Sequence, residues 1–129
     1  MTGSKKIRAL LADDEKHVRM LIKAVLMPLD CEVVGEAENG EQAVALYKEL
    51  HPDVVLLDVN MPVKDGKEAL RDIITFDASA VVIMLTSMSD AATVQAAIDL
   101  GATFYIRKDT PPAQMREILK DTWQQALGG

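Results

Sequence analysis

Two hydrophobic periods alternate five times along this chain, and that alternation constrains the fold more than any other feature. Short apolar runs bounded by turn-formers lie at Ile7–Ala12, Val33–Ala37, Val54–Leu57, Val81–Leu85 and Thr103–Ile106. Most are rich in β-branched residues, and such runs read as strands. The third and fourth are apolar throughout, the pattern of central parallel strands covered on both faces. Between the runs the period becomes helical. Val18, Leu21, Ile22, Val25 and Leu26 form one stripe, closed by Pro28. Asn39 and Gln42 pair as a cap ahead of Ala43, Val44, Tyr47 and Leu50, and that helix stops before Pro52. Ala69, Leu70, Ile73 and Ile74 mark a third helix. Val94, Ala97 and Ile98 mark a fourth over Asp90–Leu100, with Gly101 just past its end. Thr110-Pro111-Pro112 opens a fifth, with Met115, Ile118, Leu119 and Thr122 on one face. Strands alternating with helices predict an α/β fold: a five-stranded parallel sheet, (βα)5, doubly wound, with helices on both sides.

At 129 residues, with no linker, charge block or internal repeat, the expectation is one domain over 1–129. The net charge of −6 argues against a direct nucleic-acid partner, because such binding is driven by clustered cations. Cys31 is the single cysteine, which excludes an internal disulfide and fits a reducing compartment. No apolar run approaches the roughly 18 residues that span a bilayer, and Met1 to Lys6 is polar, without the apolar core of a signal peptide. A cytoplasmic location with no membrane partner is expected.

Ligands of open α/β sheets bind outside the carboxyl ends of the strands, so the residues after each run matter most. Asp13, Asp14 and Glu15 follow the first, Asp58 the third, Thr86 and Ser87 the fourth, and Lys108 the fifth. Taken alone, Asp14 reads as a helix N-cap and Lys108 as a surface lysine. Asp58 is harder to dismiss, because it directly follows Val54-Val55-Leu56-Leu57 and shares its edge with two more carboxylates. Crowded carboxylates need a cation, and three of them with main-chain carbonyls make a hard oxygen site suited to Mg²⁺.

Asp13-Asp14, the string Asp58-Val59-Asn60-Met61-Pro62-Val63-Lys64-Asp65-Gly66, Thr86-Ser87 and Lys108 together resemble the signature of response-regulator receiver domains, over approximately Lys6 to Leu127. The resemblance implies a flavodoxin-like fold with strand order 2-1-3-4-5. It implies a single-domain, chemotaxis-regulator-like phosphorelay protein rather than an enzyme with turnover. Asp58 would be the phosphoacceptor, taking a phosphoryl group from a sensor histidine kinase or histidine phosphotransfer protein. Asp13, Asp14, Asp58 and the main-chain carbonyl of Asn60 would hold Mg²⁺, with Mn²⁺ a substitute. Lys108 and Thr86 would bind oxygens of the transferred group. Tyr105 reads equally as a half-buried strand aromatic or, by the resemblance, as a switch moving with Thr86. The output would be a changed face, built by the fourth helix, fifth strand and fifth helix, that controls a downstream effector protein and leaves room for a weak phosphorylation-dependent dimer.

Two departures from the family pattern stand out. Asp109 occupies a position where the family often has proline, the Lys108-Asp109 pair resembling instead receiver domains fused to helix-turn-helix modules, and Ser87 replaces a common alanine. The Lys108–Asp109 bond is expected to be trans, since a cis bond before a non-proline residue costs about 2.5–4 kcal/mol. His17 and His51 lack metal-ligand spacing and read as helix-surface residues, and Cys31 as a packed thiol. A haloacid-dehalogenase-like phosphohydrolase would pair its nucleophile with an acid two residues on, after the first strand. A flavodoxin-like FMN carrier would show a Ser/Thr/Gly-rich loop there. The acidic Asp13-Asp14-Glu15 turn fits the receiver signature better than either.

Overall fold

A computed structural model describes residues 6–87 and 91–127. Five parallel strands form one sheet in the order β2-β1-β3-β4-β5: β1 (Ile7–Ala12), β2 (Cys31–Ala37), β3 (Val54–Asp58), β4 (Val82–Thr86) and β5 (Phe104–Arg107). The helices α1 (Lys16–Leu26), α2 (Gly40–Leu50), α3 (Gly66–Phe76), α4 (Ala91–Asp99) and α5 (Pro112–Ala126) complete the alternation. A short 3-10 turn over Met27–Leu29 carries Pro28 and ends α1. Asp90, where the fourth helix was expected to open, lies outside the described residues.

β3 and β4 are buried at every position, which accounts for their unbroken apolar runs. Alternate side chains divide between two cores. Leu10, Val55, Leu57, Val82 and Met84 meet α2 and α3 on one face, while Leu11, Leu56, Ile83, Leu85 and Ile106 meet α1 and α5 on the other. Burying a large aliphatic side chain stabilises by roughly 1.5–3 kcal/mol, so both faces of the central strands hold the sheet rigid beneath its edges.

Several strand boundaries differ from the expectation, and β4 and β5 each start one residue late, at Val82 and Phe104. β3, β4 and β5 run on into Asp58, Thr86 and Arg107, and β2 starts two residues early at Cys31. The backbone ladder continues where the apolar side chains stop. The stripe of α1 is also rotated: Arg19, Ile22, Val25 and Leu26 are buried, whereas Leu21 is 42% exposed. Asn39 caps α2 by accepting from the Gln42 amide, as expected, while the Gln42 side chain reaches back to the amide of Glu38. Asp14 is not an N-cap. Glu15 takes that position in α1, without a side-chain cap bond. His51 sits just past α2 as its C-cap in the left-handed region, rather than on the helix surface.

Candidate functional site

The carboxyl ends of β1, β3, β4 and β5 deliver polar side chains to one edge. Asp13 follows β1 and is 0% exposed, Asp58 ends β3 at 4%, and Thr86 ends β4 at 6%. Lys108 follows β5, its amide donating to the Thr86 carbonyl at 2.7 Å. Its ammonium nitrogen lies 2.7 Å from Asp13 Oδ2, 3.1 Å from Asp58 Oδ1 and 3.9 Å from Glu15 Oε1. One carboxylate oxygen each from Asp13, Asp14 and Asp58 fall within 4.8 Å of one another, with Asp14 alone exposed.

The edge carries more negative charge than it neutralises. Burial, and then the charge of Asp13, push the Asp58 carboxyl up to about 6, although Lys108 and the Asn60 amide oppose the rise. Burial alone would depress Lys108, but its close contact with Asp13 and the charges of Asp58 and Asp13 outweigh burial and raise it. Asp13 Oδ2 receives no well-directed hydrogen bond despite its burial, so the lysine contact is its compensation. Buried carboxylates crowded around one lysine, with an exposed third carboxylate beside them, form an oxygen-only donor set of the kind hard divalent cations take.

The backbone fixes this arrangement. The Asp13 amide donates to the Ala37 carbonyl at 3.0 Å, and Asp13 Oδ1 accepts from the Glu15 amide at 2.8 Å. Asp58 Oδ1 accepts from the Asn60 amide at 3.3 Å. Gly66, the first residue of α3, packs so closely that a Cβ would stand 2.0 Å from the Asp58 carbonyl oxygen, so only glycine lets the helix start there. Asp65 and Glu68 form a full capping box at the same start. The loop before it turns tightly at Val63, with φ 69° and the Lys64 amide donating to the Pro62 carbonyl at 2.7 Å. The Gly40 amide holds the Lys64 carbonyl at 2.9 Å from the start of α2.

The structure thus brings Asp13, Asp14, Asp58, Thr86 and Lys108 to one edge, with Asn60 on the adjoining loop. Tyr105 stands apart. It pairs in register with Met84, is 38% exposed, and lies beside Phe104 with ring centroids 5.6 Å apart. Ser87 is exposed. Asp109 forms a two-point ion pair with Arg107, at 2.9 and 2.6 Å, and no peptide bond among the described residues is cis. Arg19 was missed from the sequence. Its buried guanidinium donates to the Asp13 carbonyl at 2.7 Å and to Glu36 at 2.9 Å. The available signal was a basic residue three before Ile22 on the apolar face of α1.

A family model of the response regulator receiver domain matches residues 9–120. The chain is 50% identical over 101 residues to Protein CcdB of Bacillus subtilis, covering 78% of this chain and 84% of that one. It is 39% identical over 112 residues to the chemotaxis protein CheY of Thermotoga maritima, covering 87% and 93%. Among solved structures, a CheX–CheY–BeF3–Mg²⁺ complex from Borrelia burgdorferi contains a chain that superposes with a TM-score of 0.88 at 26% identity, covering 92% of this chain and 90% of that one. The response regulator domain of Thermotoga maritima CheB gives 0.84 at 34% identity, covering 97% and 98%. No helix among the described residues is long and apolar enough to cross a membrane.

Proposed function

This chain belongs to the response regulator receiver domain family, and from that premise we propose that it works as one receiver unit whose Asp58 accepts a phosphoryl group. The donor is the phosphohistidine of a sensor kinase or histidine phosphotransfer protein in the cytoplasm. An Asp58 oxygen attacks phosphorus, the O–P bond forms as the N–P bond breaks, and imidazole leaves with the electron pair. The product is an acyl phosphate.

The observation that carries this reading is the position of Lys108 Nζ between Asp13 and Asp58, at 2.7 and 3.1 Å. Phosphoryl transfer needs in-line positioning and compensation of charge on the equatorial oxygens. Lys108 supplies a compact cation beside the nucleophile, and Thr86 at the end of β4 supplies a hydroxyl. Asp13, Asp14, Asp58 and the Asn60 carbonyl would hold Mg²⁺, or Mn²⁺ in its place, and a bound ion adds further positive charge at the transferred oxygens. Inward movement of Thr86 toward the new anion, followed by Tyr105, would couple the acceptor to the face of α4, β5 and α5 that an effector reads. One charge-assisted hydrogen bond, about 1.5–3 kcal/mol, biases such a switch about 10- to 100-fold.

Labelling with acetyl phosphate or a phosphohistidine donor tests the reading. Stoichiometric, slowly decaying label that requires Mg²⁺ is expected, absent from Asp58→Asn and abolished by EDTA. Full labelling of that variant, or in excess EDTA, overturns it.

A further inference from the structure

Arg19 lies on the α1 face that is otherwise apolar, beside Ile22, Val25 and Leu26. A guanidinium is buried at high cost unless it is paired, and this one has two hydrogen-bond acceptors and a further carboxylate nearby. Nη1 donates to the Asp13 carbonyl at 2.7 Å, Nε donates to Glu36 Oε1 at 2.9 Å, and Nη2 lies 3.9 Å from Glu38 Oε1. Lys23 donates to the other oxygen of Glu36 at 2.9 Å. That bond, together with Arg19, holds the Glu36 carboxyl below its ordinary range, so the pair stays charged.

Asp13 is consequently engaged at every polar atom. Its amide is held by Ala37 of β2, its Oδ1 by the Glu15 amide, its Oδ2 by Lys108, and its carbonyl by Arg19. The first three are main-chain bonds or belong to the acidic cluster itself. The fourth comes from a side chain outside the cluster, and the rigid fork of a guanidinium lets one residue tie the turn after β1 to the end of β2. We propose that Arg19 is a positioning residue for the divalent-cation site, holding the Asp13–Asp14 turn in the shape that receives the ion; the inference rests on the reading of that site given above. Groups that orient metal ligands without touching the ion typically change affinity 10- to 100-fold when removed.

Mg²⁺ titrated calorimetrically into the parent chain, Arg19→Met, Arg19→Lys and Glu36→Gln, with no phosphodonor present, separates positioning from mere support. Affinity in Arg19→Met is expected to fall about 10- to 100-fold. Arg19→Lys falls between it and the parent, since an ammonium reaches one of the two acceptors but not both. Glu36→Gln, whose amide oxygen still accepts from Nε, weakens binding less than Arg19→Met while lowering the unfolding midpoint. Where Arg19→Met does not fold at the titration temperature, as judged by circular dichroism, Arg19→Lys carries the same test. Parent-like Mg²⁺ affinity in the folded variants, with stability alone reduced, overturns the role of Arg19. No Mg²⁺ uptake by the parent chain overturns the cation site, and this inference with it.

Discussion

The two ends of the sheet treat charge in opposite ways. At the amino edge the half-buried Asp77 and the exposed Asp53 each have their own donors. Tyr47 donates its hydroxyl to Asp77 at 2.8 Å, and Asp77 also accepts from the amide and hydroxyl of Ser79. These bonds hold the Asp77 carboxyl below its ordinary range. Asp53 accepts from the Arg8 amide, whose guanidinium in turn caps the carbonyl of His51. At the carboxyl edge Asp13 and Asp58 share one lysine, and the carboxyl of Asp58 moves the other way, up to about 6. The same sheet carries both arrangements, so the difference is local chemistry rather than a property of the fold. A satisfied edge stabilises; the crowded one keeps an oxygen donor set of the kind a divalent cation takes.

Removing Lys108 should widen that difference most. Lys108→Met leaves two buried carboxylates without their cation, and breaking a buried pair costs about 3–5 kcal/mol. Urea unfolding in EDTA should register that loss. Phosphoryl acceptance should fall about 100-fold or more, read as the initial rate of label uptake. Retained stability together with normal labelling would mean that the lysine contacts are incidental.

Asp58→Asn should narrow the difference, and pH reveals why. An unfolded aspartate ionises near 4, whereas folded Asp58 does so near 6. Between those values the folded state holds a proton that the unfolded state has released, so stability falls as pH rises through the window. In cation-free buffer above pH 7 the variant should therefore be more stable than the parent by about 2–3 kcal/mol. The gain should vanish below about pH 4 and shrink when Mg²⁺ is added. A gain independent of pH would assign it to something other than the buried charge.

At the amino edge, Tyr47→Phe should cost about 1 kcal/mol, the net worth of one hydrogen bond, and leave Mg²⁺ affinity unchanged. A shift in that affinity would show the two ends to be coupled.

The smallest effect concerns backbone strain. Val63 holds φ 69°, a conformation that a β-branched residue rarely adopts, whereas at the amino edge the left-handed positions are Asp30 and His51, types that tolerate it better. Val63→Asn should gain about 0.5–1 kcal/mol in thermal unfolding without altering label uptake.

Most of this comparison was legible at the carboxyl edge and little of it at the amino edge. Asp13, Asp14, Asp58, Thr86 and Lys108 each follow or end a recognisable apolar run, so one topological rule gathered them. Their distances were not readable, because Lys108 leaves β5 yet reaches acids after β1 and on β3, strands separated from β5 by β4. Arg19 escaped because burial of a guanidinium depends on partners in other segments, here Asp13 and Glu36, and charge is ordinarily read as exposure. Strand ends moved for a related reason. Asp58 and Thr86 carry no apolar signal, but their backbones still pair. The bond from Tyr47 to Asp77 joins residues 30 apart and leaves no local periodic trace.

The clamp between the Gly40 amide and the Lys64 carbonyl is made entirely of main chain. Its integrity asks for glycine at position 40, where a Cβ would meet the Lys64 carbonyl oxygen at 2.2 Å; the side chain at 63 is 76% exposed, and only the left-handed backbone there favours one residue type over another. The path of the loop beside Asp58 is therefore insulated from the residues it displays. A substitution at Val63 that tolerates the left-handed backbone therefore changes the exposed surface beside Asp58 while leaving the main-chain clamp alone.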